Sequence, residues 1–234
     1  MEKTGYVKLN VVDNTSMNAY FSLPEGGGSF PGILLFHEAF GINDHIKDIA
    51  GRIAVEGYVV IAPELYHRTA PGFQAAYTDF KATQEHIQAL KTKELINDVT
   101  ATYDWLQQQQ NVIHNKTGSV GFCLGGTVSF LANIVLPLSA GVSFYGGGIH
   151  ERIDRAHEIH SRHLFFWGGK DTHITADKRN AVTAAMDKAG KPYTHVVFSD
   201  AGHGFFRDPH TSYHPKAARE AWALVLEFYR NNMK

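Results

Sequence analysis

The chain has 234 residues, of which 44% are hydrophobic and 19% charged, as is typical of a globular protein with a sizeable core. Its 22 lysines and arginines nearly balance 23 aspartates and glutamates, which argues against electrostatic recruitment to nucleic acid or to an acidic membrane. The single cysteine excludes an internal disulfide, and the N-terminal segment lacks an apolar run of signal-peptide length. The most apolar stretch, residues 131–144, is interrupted by Asn133, Pro137 and Gly141, so we expect a cytoplasmic protein without a membrane span.

Residues 1–24 are predicted to form an N-terminal hairpin, because two β-patterned runs flank the polar turn DNTS. From residue 32 onward, short apolar strands alternate with amphipathic helices. Strands are predicted at 32–36, 58–63, 118–122, 140–146, 163–169 and 193–198, and helices at 42–57, 95–107, 124–136, 175–190 and from 215. This alternation predicts an α/β fold in which helices cover both faces of a mostly parallel sheet. We expect a single domain over residues 1–234, with residues 64–93 as a cap segment.

The segment GSVGFCLGG, residues 118–126, has the pattern of a strand, a sharp turn and a helix. Cys123 lies between Gly121 and Gly125, which suits a nucleophile held in a strained turn, because its close neighbours must then be small. The helix that follows would stabilise a thiolate, and the backbone N–H of Leu124 is placed to bind an oxyanion. The alternative interpretation is a buried structural cysteine.

A thiol nucleophile needs a base, and the base needs a group that orients it. Asp171 follows the predicted strand HLFFWGG, and His203 follows the predicted strand YTHVVF. Taken separately, Asp171 is interpretable as a helix N-cap and His203 as one of 14 histidines in a loop. Together with Cys123 they follow the order nucleophile, acid, histidine, which favours a catalytic triad.

Three closely spaced histidines, His157, His160 and His163, have spacings compatible with zinc. However, His163 opens a predicted strand and no carboxylate is clearly placed beside the three. We therefore predict no metal site, and the sequence implies no organic cofactor.

Several segments resemble the dienelactone hydrolase (carboxymethylenebutenolidase) family of the α/β-hydrolase superfamily. The segments that carry this resemblance are HEAFGIND, PELYHRTAPG, GFCLGG, GGKD and AGHGFFR. It extends from residue 32 to the C-terminal helix. The resemblance implies an α/β-hydrolase fold and the hydrolysis of small lactones or esters that carry a carboxylate, with dienelactone to maleylacetate as the reference reaction.

The resemblance also implies roles for residues outside the triad. Glu38 would hold the resting thiol, and a backbone N–H near Ala39 would complete the oxyanion hole. Arg68 and Arg207 would grip the substrate carboxylate, for which a planar guanidinium is suited, and Tyr145 would line the substrate site. The alternatives are a surface carboxylate at Glu38 and solvated charges at the two arginines.

Three positions depart from the family pattern. Phe144 replaces a tyrosine, His173 replaces an aromatic residue after the acid, and Gly204 replaces a serine after the catalytic histidine. These positions leave open a general carboxylesterase or thioesterase, or a non-catalytic protein that binds a small ligand. The expected partner is a small molecule, neither nucleic acid nor membrane, and the expected state is a monomer or small homo-oligomer.

Overall fold

The computed structural model describes residues 3–208 and 210–233. The strands of this part of the chain are β1 (Thr4–Asn10), β2 (Ser16–Ser22), β3 (Phe30–Phe36), β4 (Val59–Pro63), β5 (Val112–Phe122), β6 (Ala140–Phe144), β7 (His163–Gly168) and β8 (Tyr193–Phe198). Its α-helices are α1 (Asp44–Val55), α2 (Gln84–Ala89), α3 (Thr92–Gln107), α4 (Leu124–Val135), α5 (Ala176–Lys188) and α6 (Pro215–Asn232). The strands pair in the orders β1-β2-β4-β3 and β5-β6-β7-β8, and the predicted, mostly parallel α/β fold is confirmed.

Two compact units divide the chain, Met1–Thr117 and Gly118–Lys234. In the first unit, β1 and β2 form an antiparallel hairpin in which Thr4 pairs with Ser22. Strand β4 pairs antiparallel with β2 and parallel with β3. Helix α1 begins after Asn43, whose side chain accepts a hydrogen bond from the Ile46 N–H, and it buries an apolar face on the sheet side.

The predicted cap segment, residues 64–93, contains a short 3₁₀ turn and α2. Its first part bonds to the loop that follows β3. Gly41 pairs with Gln74 in an isolated β-bridge, and the Ala75 N–H donates to the Phe40 carbonyl at 3.2 Å. Gly41 has a φ of 77°, and a Cβ there would meet the Phe73 carbonyl, so the close approach of these two segments requires glycine. The loop after β3 is thus held by the segment within the first unit.

In the second unit, β5 to β8 pair in parallel, and each pair of neighbours is joined through helical or 3₁₀ segments. Helix α4 follows β5 after the single residue Cys123, and most of α4 is buried. Helix α6 begins with Pro215 at its first turn, after His214 accepts from the Ala217 N–H. Among the described residues, the helices lack the combination of length and apolar character that a membrane crossing requires.

An aromatic stack crosses the strands of the second unit near their carboxyl ends. Phe122, Phe144 and Phe166 occupy neighbouring positions in the register of β5, β6 and β7, and all three are buried. Their rings stack with centroids 4.6 Å and 4.5 Å apart. Since the carboxyl ends of parallel strands meet at one edge of a sheet, this packing fixes the edge from which Cys123 and the following loops extend.

Candidate active site

Cys123 occupies a strained turn between β5 and α4. Its backbone has φ 53° and ψ −113°, outside the regions that residues other than glycine normally occupy. A Cβ at Gly121 would meet the backbone of Gly125, so only glycine fits two residues before the cysteine. The sequence prediction of a sharp strand–turn–helix at this cysteine therefore agrees with the backbone.

The end of β6 holds this turn. The Cys123 N–H donates to the Phe144 carbonyl at 3.0 Å. A Cβ at Gly126 would lie 2.6 Å from the same carbonyl oxygen and 3.0 Å from the Cα of Gly146, so the first turn of α4 packs directly on the backbone that follows β6. The Cys123 N–H is therefore already hydrogen-bonded within the protein. The N–H predicted to bind an oxyanion belongs to the next residue, Leu124, which begins α4.

Within the second unit, Asp171, His203 and Cys123 form a continuous chain of contacts. His203 donates from Nδ1 to Asp171 Oδ2 at 2.7 Å, and its Nε2 lies 3.2 Å from the Cys123 Sγ. The other carboxylate oxygen, Asp171 Oδ1, accepts from the backbone N–H groups of His173 and Ile174 at 2.8 Å and 3.0 Å. One carboxylate therefore caps its own loop and orients the imidazole.

The neighbours of His203 raise the proton affinity of its imidazole. Burial by itself lowers the pKa of His203, but the negative charge of a Cys123 thiolate and the hydrogen bond to Asp171 outweigh it and raise that pKa to about 10. Burial raises the pKa of Asp171, yet the hydrogen bond from His203 and the two backbone N–H bonds outweigh that effect and lower it. A thiolate beside an imidazolium is the form in which a cysteine attacks a carbonyl.

Tyr145 flanks His203, and Arg207 lies over the ring of Tyr145. Tyr145 is fully buried, and its ring lies 5.1 Å from the ring of His203, measured between centroids. The Cζ of Arg207 lies over the same tyrosine ring, 6.0 Å from its centroid, and Arg207 is only 8% exposed. Gly204 has a φ of 71°, and a Cβ there would lie 2.7 Å from the Arg207 Cζ. Gly204, which departs from the family pattern, thus leaves the space that the Arg207 guanidinium occupies.

His173 also contacts the imidazole of His203. The two histidine rings are edge to face, with centroids 5.8 Å apart, and the His173 side chain is exposed. Of the three departures from the family pattern, Gly204 and His173 are therefore next to His203 or to the arginine beside it. Phe144 belongs to the buried aromatic stack instead.

Arg68 forms ion pairs inside the first unit. It donates from Nη1 and Nη2 to the two oxygens of Asp98 at 2.8 Å and 2.7 Å, and from Nε and Nη2 to Asp13. Asp98 has a fully buried side chain. These two carboxylates use the planar donor set, so Arg68 ties together three segments of the first unit, and its contact with a substrate stays a prediction.

The loop after β3 contains the remaining predicted residues of the first unit. Glu38 is buried, with 1% of its surface exposed, which contradicts the alternative of a surface carboxylate. The Ala39 carbonyl accepts from the Tyr66 hydroxyl at 3.1 Å. His37 Nε2 accepts from the Leu65 N–H at 3.2 Å, and burial lowers the pKa of His37 to about 4, so this histidine is neutral. The loop is thus tied to the start of the cap segment.

Two of the three histidines with zinc-like spacing have other partners. His163 is fully buried in β7, where Nδ1 contacts Asn133 Nδ2 at 3.0 Å and Nε2 contacts Ser143 Oγ at 2.8 Å. His157 Nδ1 bonds to the Asp154 carbonyl at 3.0 Å. No group of three potential metal ligands occurs among the residues that the structure describes.

Sequence reasoning missed two buried polar contacts in the second unit. Arg179 in α5 donates to the carbonyls of Gly168 and Ile174 at 3.3 Å and 2.7 Å, which spans the loop that carries Asp171. The second is the contact of His163 Nε2 with Ser143 Oγ at 2.8 Å. Arginine on a helix and histidine at a strand start are ordinary in a sequence, so the only available signal was the placement of polar residues on predicted buried faces.

Fold and site together define an α/β hydrolase: a strained turn presents a cysteine after a parallel strand, and an aspartate and a histidine follow in later loops. The sequence profile of the dienelactone hydrolase family matches residues 17–233. The chain belongs to that family and is a carboxylic-ester hydrolase.

Relatives over nearly the whole chain agree with this assignment. A protein of Synechocystis sp., provisionally named carboxymethylenebutenolidase, is 32% identical over 231 residues, which are 94% of each chain. A protein of Bradyrhizobium sp., provisionally named 2-oxo-3-(5-oxofuran-2-ylidene)propanoate lactonase, is 27% identical over 91% of this chain and 88% of its own. A crystal structure from Klebsiella pneumoniae, provisionally described as a dienelactone hydrolase, is similar with a TM-score of 0.88 and 28% identity, and covers 97% of this chain and 98% of that one.

Proposed function

We propose that the protein hydrolyses small lactones or esters that carry a carboxylate, with Cys123 as nucleophile, His203 as general base and acid, and Asp171 as the group that orients it. The observation that carries this proposal is the chain of contacts from Asp171 Oδ2 through His203 to the Cys123 Sγ, at 2.7 Å and 3.2 Å. Such distances are within reach for proton transfer, and the strained turn presents the sulfur at the start of a helix.

The chemistry begins with attack of the Cys123 thiolate on the carbonyl carbon. A C–S bond forms and the carbonyl π electrons move to oxygen, which gives a tetrahedral oxyanion. The oxyanion then collapses, the ring C–O bond breaks, and the leaving oxygen takes the proton from His203 Nε2. The product of this half-reaction is a thioester on Cys123 that still carries the opened chain.

Water completes the cycle. Neutral His203 removes a proton from a water molecule, whose oxygen attacks the thioester carbon, and the C–S bond then breaks to regenerate the thiolate. Asp171 keeps the proton of His203 on Nδ1, so that Nε2 accepts from water in this step, and its charge stabilises the imidazolium that results. The Leu124 N–H and an N–H near Ala39 are proposed to bind the oxyanion in both half-reactions.

Selectivity for a carboxylate is assigned to Arg207. Its guanidinium is nearly buried and lies on Tyr145, the side chain that also flanks His203. A charge-assisted pair with a carboxylate contributes about 1.5–3 kcal/mol. The names of the relatives fit this chemistry, since carboxymethylenebutenolide and 5-oxofuran-2-ylidene propanoate both join an unsaturated lactone to a carboxylate.

The remaining predicted roles are proposals that rest on the family resemblance. Glu38 is proposed to restrain thiolate formation in the resting enzyme, because a carboxylate near a thiol disfavours its ionisation. Tyr145 is proposed to line the substrate site. These roles are tested separately from the nucleophile.

A substrate panel tests the proposed function. Steady-state hydrolysis is measured for a dienelactone, a simple lactone without a carboxylate, a neutral aryl ester and a thioester, with wild type and Cys123→Ala. We expect the highest kcat/KM for the dienelactone and a loss of more than about tenfold, roughly 1.4 kcal/mol, in the variant. Preference for the aryl ester or thioester would instead assign a general esterase, and full activity of Cys123→Ala would exclude the thiol as nucleophile.

A further inference from the structure

A chain of buried polar side chains lies behind the nucleophile turn, outside the triad. Ser143 in β6, His163 in β7 and Asn133 in α4 are all fully buried. Ser143 Oγ lies 2.6 Å from the Gly126 carbonyl oxygen, His163 Nε2 lies 2.8 Å from Ser143 Oγ, and Asn133 Nδ2 lies 3.0 Å from His163 Nδ1. Four groups therefore line up through three hydrogen bonds.

The chemistry of the last acceptor fixes the direction of every bond. A carbonyl oxygen only accepts, so Ser143 donates its hydroxyl proton to Gly126 and must accept from His163. His163 therefore has its proton on Nε2, and its Nδ1 accepts from the Asn133 amide. The second proton of that amide goes to the Ser161 carbonyl at 3.1 Å. The chain is consistent only with a neutral His163, and burial lowers the pKa of His163 to about 3.

The space for this chain is built into the backbone. A Cβ at Gly141, the residue opposite His163 in the register, would meet the imidazole and would lie 2.9 Å from Asn133 Nδ2. Asn133 is held in turn because its Oδ1 accepts from the N–H and the hydroxyl of Ser161 at 3.1 Å and 2.9 Å. Every polar atom of the chain thus has a partner, as buried polar networks require.

The chain ends one hydrogen bond away from the nucleophile. Gly126 lies in the first turn of α4, and its N–H donates to the Cys123 carbonyl at 3.1 Å. The Cys123 N–H is bonded to Phe144, the residue after Ser143. Ser143 and Phe144 therefore hold the strained turn from two sides, the first through α4 and the second directly.

We propose that Ser143, His163 and Asn133 are positioning residues that keep the Cys123 turn in its strained conformation and so keep the sulfur aligned with His203. The proposal rests on the proposed function in that Cys123 is taken as the nucleophile. Its effect acts on the thiol, before any substrate binds, so it is measurable without a substrate.

Ser143→Ala removes the hydroxyl and leaves the Gly126 carbonyl and the His163 Nε2–H without this bond. We expect about a tenfold fall in kcat with KM changed less than twofold, because small displacements of a reacting group reduce rate more than binding. The rate of Cys123 alkylation by iodoacetamide should also fall about tenfold at neutral pH, with a changed pH profile. Ser143→Thr keeps a hydroxyl and should recover most of both rates.

Ser129→Ala is the matched control. Ser129 is fully buried in α4, the helix that also contains Gly126, and its Oγ lies 2.8 Å from Ser119 Oγ. The variant therefore also loses one buried hydroxyl contact. This contact does not include the Cys123 turn. We expect a similar loss of thermal stability in Ser129→Ala, with alkylation and kcat within twofold of wild type.

Two results would overturn the proposal. One is an alkylation rate in Ser143→Ala within twofold of that in Ser129→Ala, which would make Ser143 structural only. The other comes from the wild-type protein: ¹⁵N NMR must show His163 protonated on Nε2 and not on Nδ1 near neutral pH, and the opposite tautomer would break the chain even if Ser143→Ala failed to fold. A failed proposed function is distinguished by the substrate panel, since alkylation of Cys123 does not depend on which ester is hydrolysed.

Discussion

Asp171 performs two tasks with its two oxygens. Oδ1 accepts from the N–H groups of His173 and Ile174, and Oδ2 accepts from His203. The first task is structural, because it closes the loop after β7, and the second sets the tautomer of the imidazole. A substitution that separates the two tasks therefore tests the role of the carboxylate without removing the loop.

Asp171→Asn is expected to lower kcat by about 10²–10⁴ while the melting temperature changes by only a few degrees. The amide oxygen still accepts from the two backbone N–H groups. However, an NH₂ opposite His203 Nδ1 donates to that nitrogen and favours the tautomer with its proton on Nε2, which cannot accept a proton from the thiol or from water. Steady-state kinetics and thermal denaturation measure the two effects. Asp171→Ala, which loses both tasks, should lower both quantities, and a fall in kcat of less than tenfold for Asp171→Asn would remove Asp171 from the triad.

Glu38→Gln is expected to accelerate alkylation of Cys123 at neutral pH and to lower the pH at which the thiolate forms. The physical reason is that a neutral amide no longer opposes a negative sulfur. Iodoacetamide kinetics between pH 5 and 9 provide the measurement. Glu56→Gln, which neutralises an exposed carboxylate at the end of α1, should leave the rate unchanged. An unchanged rate in Glu38→Gln as well would reduce Glu38 to a buried loop residue.

Arg207→Met is expected to raise KM for a carboxylated lactone by about ten- to a hundredfold and to leave a neutral aryl ester nearly unaffected. Methionine keeps much of the aliphatic stem on Tyr145 and removes the guanidinium. The ratio of the two KM values is the measurement, because general damage to the site would affect both substrates. An equal effect on both substrates would contradict the assignment of Arg207.

At the scale of elements, Arg68 connects three parts of the first unit. Asp13 lies in the β1–β2 turn, Arg68 in the segment after β4, and Asp98 in α3. Burial raises the pKa of Asp98 while the hydrogen bond from Arg68 opposes that effect. Such a pair is hard to break from one side, because the remaining carboxylate is buried and uncompensated.

Arg68→Met is therefore expected to lower the free energy of unfolding by about 3 kcal/mol and to leave the preference for carboxylated lactones as in wild type. Urea denaturation measures the first effect, and the KM ratio used for Arg207 measures the second. The double variant Arg68→Met/Asp98→Asn, which also removes the buried charge, should recover part of the stability. A lost preference with wild-type stability would restore the sequence-based substrate role of Arg68.

Local sequence patterns predicted most of the helices and strands. Side-chain contacts between residues distant in sequence were not predictable from such patterns. The period of the apolar residues identified the strands and helices, and Gly121, two residues before Cys123, indicated the strained turn. The partners of Arg68 lie 55 and 30 residues away, so no local pattern distinguishes an arginine that binds substrate from one that pairs with Asp98. The spacing of His163 from His157 and His160 is compatible with zinc, whereas the residues that it contacts, Asn133 and Ser143, are 30 and 20 residues distant.

At the scale of the whole molecule, each unit contains a buried neutral histidine. Burial lowers the pKa of His37 to about 4 and that of His163 to about 3, against about 6.5 in an unfolded chain. Below pH 6.5 the unfolded chain therefore binds protons that the folded chain does not. Folding stability must then fall as the pH decreases from about 6.5 towards 4 and 3.

We expect the free energy of unfolding to decrease by up to about 1.4 kcal/mol per pH unit for each of these two histidines as the pH drops below 6.5. His203 acts in the opposite direction above this window, because its raised pKa adds stability that is nearly complete at pH 6 and is lost as the pH rises towards 10. Urea denaturation at about pH 6, 5.5 and 5 therefore checks the slope. His114→Gln, at an exposed position of β5, should keep it, and stability that is constant or rising from about pH 6 to 5 would contradict the expectation.

The end of β6 has a consequence for how this enzyme acquires new substrates. Phe144 bonds the Cys123 turn through its backbone carbonyl, and the next residue, Tyr145, lies against His203, so a shift of the backbone at the end of β6 disturbs sulfur and imidazole together. Mutations there will combine non-additively with changes at Cys123 or His203. The exposed His173 has no such dual attachment. Laboratory evolution towards a different ester should therefore accumulate its first changes at His173 and leave the end of β6 invariant.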